Sequence, residues 1–135
     1  MIVAALLALL TAEAPSHSQG IDPKMGCRGN PAVVGQCFAV HGRIFFSNGT
    51  PSMRIWRVGT TRVLGVLPSE AEIAPAVVRK YVRSGTNLYG DFEVCPFEKE
   101  TPGWMRAVCV ESATNLVVER HIDGREAPEV FRIRR

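Results

Sequence analysis

The stretch Cys37-Phe38-Ala39-Val40-His41-Gly42-Arg43-Ile44-Phe45-Phe46, followed by Ser47-Asn48-Gly49-Thr50-Pro51, decides the fold. Phe38, Val40, Ile44 and Phe46 fall on one side of an extended chain, with His41 and Arg43 on the other. That period of two is a half-buried β-strand. Asn48 and Gly49 supply the positive φ of a tight turn. Alternation then resumes from Met53 to Val58, with Met53 and Ile55 opposite Arg54 and Trp56. The two runs make a hairpin.

Gly59-Thr60 turns the chain again, and Thr61 to Leu67 forms the next strand. Leu88–Cys95, Trp104–Ala113, Leu116–Ile122 and Glu129–Arg134 bring the total to about seven short strands, with Asp123-Gly124 as a turn. The exception is residues 68–84. Ser69 is placed to cap a first turn near Glu70 and Glu72, and Pro75 suits the start of a second. Val77, Val78, Tyr81 and Val82 recur at helical spacing, so one short crossover helix is expected. The pattern as a whole predicts an all-β, antiparallel sandwich or barrel.

The chain has 135 residues, 46% hydrophobic and 21% charged, an ordinary globular composition. Its net charge of +3 is too mild and too evenly mixed to imply a nucleic-acid partner. Ile2 to Leu10 is an apolar run matching a secretory signal core, too short to span a bilayer. Residues 1–14 are therefore expected to be a signal peptide, 15–30 a flexible leader, and 31–135 the β-sandwich domain. No transmembrane segment is expected in the mature chain, whose location would be periplasmic or secreted.

Cys27, Cys37, Cys95 and Cys109 fit an exported protein as two disulfides. Three pairings are possible, and the local one, Cys27–Cys37 with Cys95–Cys109, is expected. A hairpin around Pro102 would set Cys95 opposite Cys109, and Glu93 against Glu111. Each closure would stabilise by about 3 kcal/mol in the chain-entropy model. Metal binding is the competing use, but no C-x-x-C or H-x-x-x-H spacing occurs, so no metal or other cofactor is expected. Cys37 and His41 are four residues apart on a strand, about 13 Å, too far for one zinc ion.

Val40-x-Gly42-Arg43-Ile44 with Asn48-Gly49-Thr50-Pro51, and later Tyr89-Gly90-Asp91-Phe92-Glu93-Val94, resemble the first hairpin and a later strand of transthyretin-like sandwiches. The carboxypeptidase regulatory-like domains belong to that group. The longer run from Cys37 to Val118 is similar to a group of small exported bacterial proteins to which no activity attaches. The hydrolases of the transthyretin group end in Y-R-G-S. This chain ends Phe131-Arg132-Ile133-Arg134-Arg135, so their activity does not transfer.

Nucleophile elbows, phosphate-cradling glycine loops and HExxH are absent from the sequence. The reading that follows is a non-catalytic binding or structural module outside the cytoplasm. Its partner would be an extracytoplasmic protein or envelope component, met through Arg54, Trp56, Arg57 and Arg62. The alternative is a small hydrolase with a site near His41 and Asp91. A third reading, electrostatic attachment to the envelope surface, predicts binding that weakens as salt rises.

Overall fold

The structure, a computed structural model, describes residues 26–134. The expected signal peptide and the leader up to Met25 lie outside the described residues. The elements run β1 (Phe38–Phe46), β2 (Met53–Arg57), β3 (Val63–Val66), α1 (Pro68–Ile73), α2 (Ala76–Tyr81), β4 (Thr86–Pro96), β5 (Arg106–Arg120) and β6 (Glu129–Arg132). This is the expected all-β, predominantly antiparallel sandwich, with helices in the crossover.

Two of the elements differ from the sequence reading. The expected strands Trp104–Ala113 and Leu116–Ile122 are one long β5. Asn115, at φ 53°, makes a bulge there, and β5 pairs with β4 on both sides of it. The crossover holds two short helices, because a residue preceding proline is disfavoured in the helical region. Ala74, just before Pro75, is extended at ψ 155° and ends α1.

The strands lie in the order β3-β2-β1-β4-β5-β6. β3 also pairs in parallel with the start of β5, Leu64 opposite Arg106 and Val66 opposite Val108. The second edge of the sandwich is thereby joined, and β1-β2-β3-β5-β4 form a closed ring. β6 pairs with the far end of β5, Val117 to Arg120. Closure removes the free edge that β3 would otherwise present.

Alternate residues of each strand fill the interior: Ile44, Ile55, Leu88, Phe92, Val94 and Val118 are buried, and Ala74 and Val78 from the helices join them. Fully burying such side chains stabilises by roughly 1.5–3 kcal/mol each. The Val40-x-Gly42 and Gly90-x-Phe92 patterns lie side by side, with Gly42 opposite Gly90. A Cβ at Gly90 would lie 2.5 Å from Leu116 Cδ2, and one at Gly42 2.9 Å from Ile55 Cγ2. Close approach explains both glycines.

All four cysteines are bonded, but the local pairing expected from sequence is corrected. The bonds are Cys27–Cys109 and Cys37–Cys95. Cys95 does sit opposite Cys109. The antiparallel β1–β4 register, however, has Phe38 opposite Val94, which carries Cys37 to Cys95. Residues 27–37 cross the outside of β4 and β5 as a strap, leaving Cys109 for Cys27. Val34 N–H donates to the Pro96 carbonyl at 2.7 Å, and Val33, Ile73 and Phe97 pack against the buried cluster of Cys27, Cys95 and Cys109.

The expected Glu93–Glu111 opposition is also replaced. A register shift leaves Glu93 opposite Ser112 and makes Glu111 the extra residue of a bulge. Its carboxylate accepts the N–H groups of Cys27 at 2.7 Å and Arg28 at 3.1 Å. Arg28 pairs with both Glu93 and Glu111, so the two like charges share one guanidinium.

Candidate binding surface

Outward-facing residues of β1, β2 and β4 make rows across the strands. Trp56 and Tyr89 lie on either side of Arg43, and Arg54 lies beside Phe45. The Arg43 guanidinium sits 4.8 Å from the Phe45 ring centroid and 5.1 Å from that of Trp56. Both are cation–π distances. Among the described residues, Arg43 Nε is buried without a hydrogen-bond partner. Trp56 is fixed at its other end, where its indole N–H donates to the Thr60 carbonyl at 2.7 Å. The result is an oriented aromatic and cationic face on one strand pair.

The four residues singled out from sequence meet different fates. Trp56 belongs to this face. Arg54 turns its guanidinium back to the Pro51 and Asn48 carbonyls, at 3.0 and 3.1 Å, and braces the β1–β2 turn. Arg57 has the opposite strand parity to Trp56, and its backbone N–H closes the β2–β3 turn onto the Arg62 carbonyl. Arg62 pairs with Glu100 in the β4–β5 loop. They do not form one cationic cluster.

Arg43 and Phe45 were not singled out from the sequence, because their place beside Trp56 depends on the β1–β2 register. Trp104 was read as a strand residue. Instead it is 79% exposed, following a turn closed by its own N–H to the Thr101 carbonyl at 3.1 Å. Pro102 followed by Gly103 at φ 80° is the type II pattern, and those two residues were the available signal.

His41 and Asp91 are opposite residues of β1 and β4, with Nδ1 and Oδ1 2.7 Å apart. Asn115 Nδ2 donates to the other carboxylate oxygen at 2.8 Å, aimed there by the β5 bulge. The Asn115 hydrogen bond, then that of His41, holds the Asp91 carboxyl below the usual aspartate range. The group lies on open sheet surface, with side chains 68% and 47% exposed for His41 and Asp91.

Cys27, Cys95 and Glu111 bring candidate ligand atoms within 4.8 Å of one another. Both sulfurs are oxidised in disulfides and offer no thiolate, while the carboxylate accepts two backbone N–H groups. The chemistry is that of a crosslinked anchor. Paired disulfides are consistent with an oxidising, extracytoplasmic setting. Among the described residues, no helix is long and apolar enough to cross a membrane. In comparison with known proteins, the chain matches no family model, no curated protein and no solved structure.

Proposed function

We propose that the chain is a non-catalytic binding module of the periplasm or the secreted fraction, whose contact surface is the outward face of β1 and β2. The observation that carries the reading is the Phe45–Arg43–Trp56 stack. Its members are held before any ligand arrives, so little side-chain entropy remains to be lost on binding.

The test is pelleting of the oxidised protein with isolated cell-envelope material. Arg43→Ala and Trp56→Ala should each release it by about tenfold, the scale of a desolvated cation–π contact. Retention by wild type should survive raised salt, since stacking rather than free charge carries it. Equal pelleting of both variants with wild type would overturn the assignment. Pelleting lost in wild type at high salt would support electrostatic attachment instead.

One observation favours a hydrolase as the second reading. Asp91 engages His41 Nδ1, which leaves Nε2 facing outward on the open sheet surface. Ester turnover abolished by His41→Ala and retained in Trp56→Ala would establish that reading over ours.

A further inference from the structure

The β4–β5 loop carries a second aromatic on the same side of the ring. A cleft of about 400 Å³ lies between the start of β3, at Thr61 to Leu64, and the loop from Glu100 to Arg106. Trp104 borders it, and also borders a smaller notch of about 130 Å³ beside Glu98 and Lys99. The cleft adjoins the Arg43–Trp56 face, because its wall residue Val63 is the register partner of Trp56. A tryptophan 79% exposed between two hollows has given up burial worth roughly 1.5–3 kcal/mol for a large apolar side chain.

The loop that holds it is ordered. Glu98 accepts the Ala107 N–H on its carboxylate and the Arg106 guanidinium on its carbonyl, both at 2.8 Å. Phe97 N–H bonds the Ala107 carbonyl at 3.0 Å, and Arg62–Glu100 ties the loop to the chain entering β3. Trp104 therefore stands on a braced platform rather than a free tip.

Resting on the binding-module reading, we propose that this cleft binds an oligosaccharide, with one sugar ring stacked on Trp104 and the chain continuing toward Trp56. Pyranose rings offer a flat face of C–H groups to an indole and a rim of hydroxyls to paired charges. Arg62 and Glu100 supply a donor and an acceptor side by side. The charges lining the hollows are mixed, Arg62, Arg106 and Lys99 with Glu98 and Glu100. They lack the one-signed field that draws a polyphosphate. The disulfides are consistent with an extracytoplasmic setting, where glycans are exposed.

The chain has two tryptophans, so Trp56→Phe leaves Trp104 as reporter and Trp104→Phe leaves Trp56. Each oxidised variant is titrated with cellohexaose, chitohexaose and a short single-stranded oligothymidylate, following tryptophan emission. We expect one hexaose to shift the Trp104 reporter. Trp104→Ala should weaken its affinity about tenfold by calorimetry while the circular dichroism stays unchanged. A hexaose response at Trp56 that Trp104→Ala does not weaken would overturn the cleft and leave the contact face standing. A response to oligothymidylate alone would overturn the ligand class. No response from either reporter to any probe, in protein that still pellets with envelope, would overturn the saccharide and spare the module. Loss of pelleting as well would remove both.

Discussion

Gly90 shows how one missing side chain can organise a neighbourhood. Leu116 occupies the space that a Cβ would need, and the Thr114 carbonyl lies 2.8 Å from the same point. Gly90→Ala should therefore destabilise by about 2 kcal/mol, the middle of the range for overpacking, read as a lower urea midpoint at unchanged slope. The same bulge delivers Asn115 to Asp91. By side-chain NMR titration, Asp91 should titrate below an ordinary aspartate, and Asn115→Ala should raise its pKa, since that hydrogen bond is the largest cause of the shift. The sign of the stability effect follows. A carboxyl whose pKa is depressed by folding contributes stability that is present above its unfolded pKa. That contribution is lost as pH falls through the folded value. Little of this was legible in the sequence. His41 and Asp91 were named together as the alternative site, but nothing local says that they are opposite each other.

At the scale of elements, the β1–β2 hairpin was readable because alternation and an Asn-Gly turn are local signals. The two halves of β5 were read as separate strands because Thr114-Asn115 has turn chemistry, and a bulge uses the same residues without reversing the chain. Pro75 was recognised as a helix-starting residue, whereas its effect on Ala74 decided that there would be two helices. The strap is the element that sequence patterning could not supply, since residues 27–37 have no period and are ordered by contacts with distant strands. Its independence can be measured. On reduction, the amides of Asn30 and Val34 should exchange quickly, while Val40 and Phe92 in the β1–β4 pair stay protected in hydrogen-exchange mass spectrometry. Equal loss of protection in both groups would mean that the strap and the ring unfold together.

For the whole molecule, the decisive contacts are long-range. Ring closure rests on the parallel β3–β5 pairing, and face patterns alone carry no information about which strands become neighbours. The disulfides tell the same story, with sequence separations of 82 and 58 residues in place of the local loops expected. In the chain-entropy model each such closure stabilises by about 4 kcal/mol, more than the short loops would. Replacing Cys27 and Cys109 together by Ser should lower the unfolding free energy by up to that amount in urea titration, with the ring retained.

The strap also settles how the molecule would carry a mechanical load. Tension arriving along the chain from ahead of residue 26 passes through the Cys27 sulfur into Cys109, in the interior of β5 rather than at a frayed end. There β4 lies alongside, with β3 paired immediately upstream, so the pull is resisted as shear across hydrogen bonds on both flanks. Without that bond the same tension would peel the strap away one contact at a time. Oxidised, the protein is a fastening that loads its barrel as a unit; reduced, it is a zipper that opens from the strap.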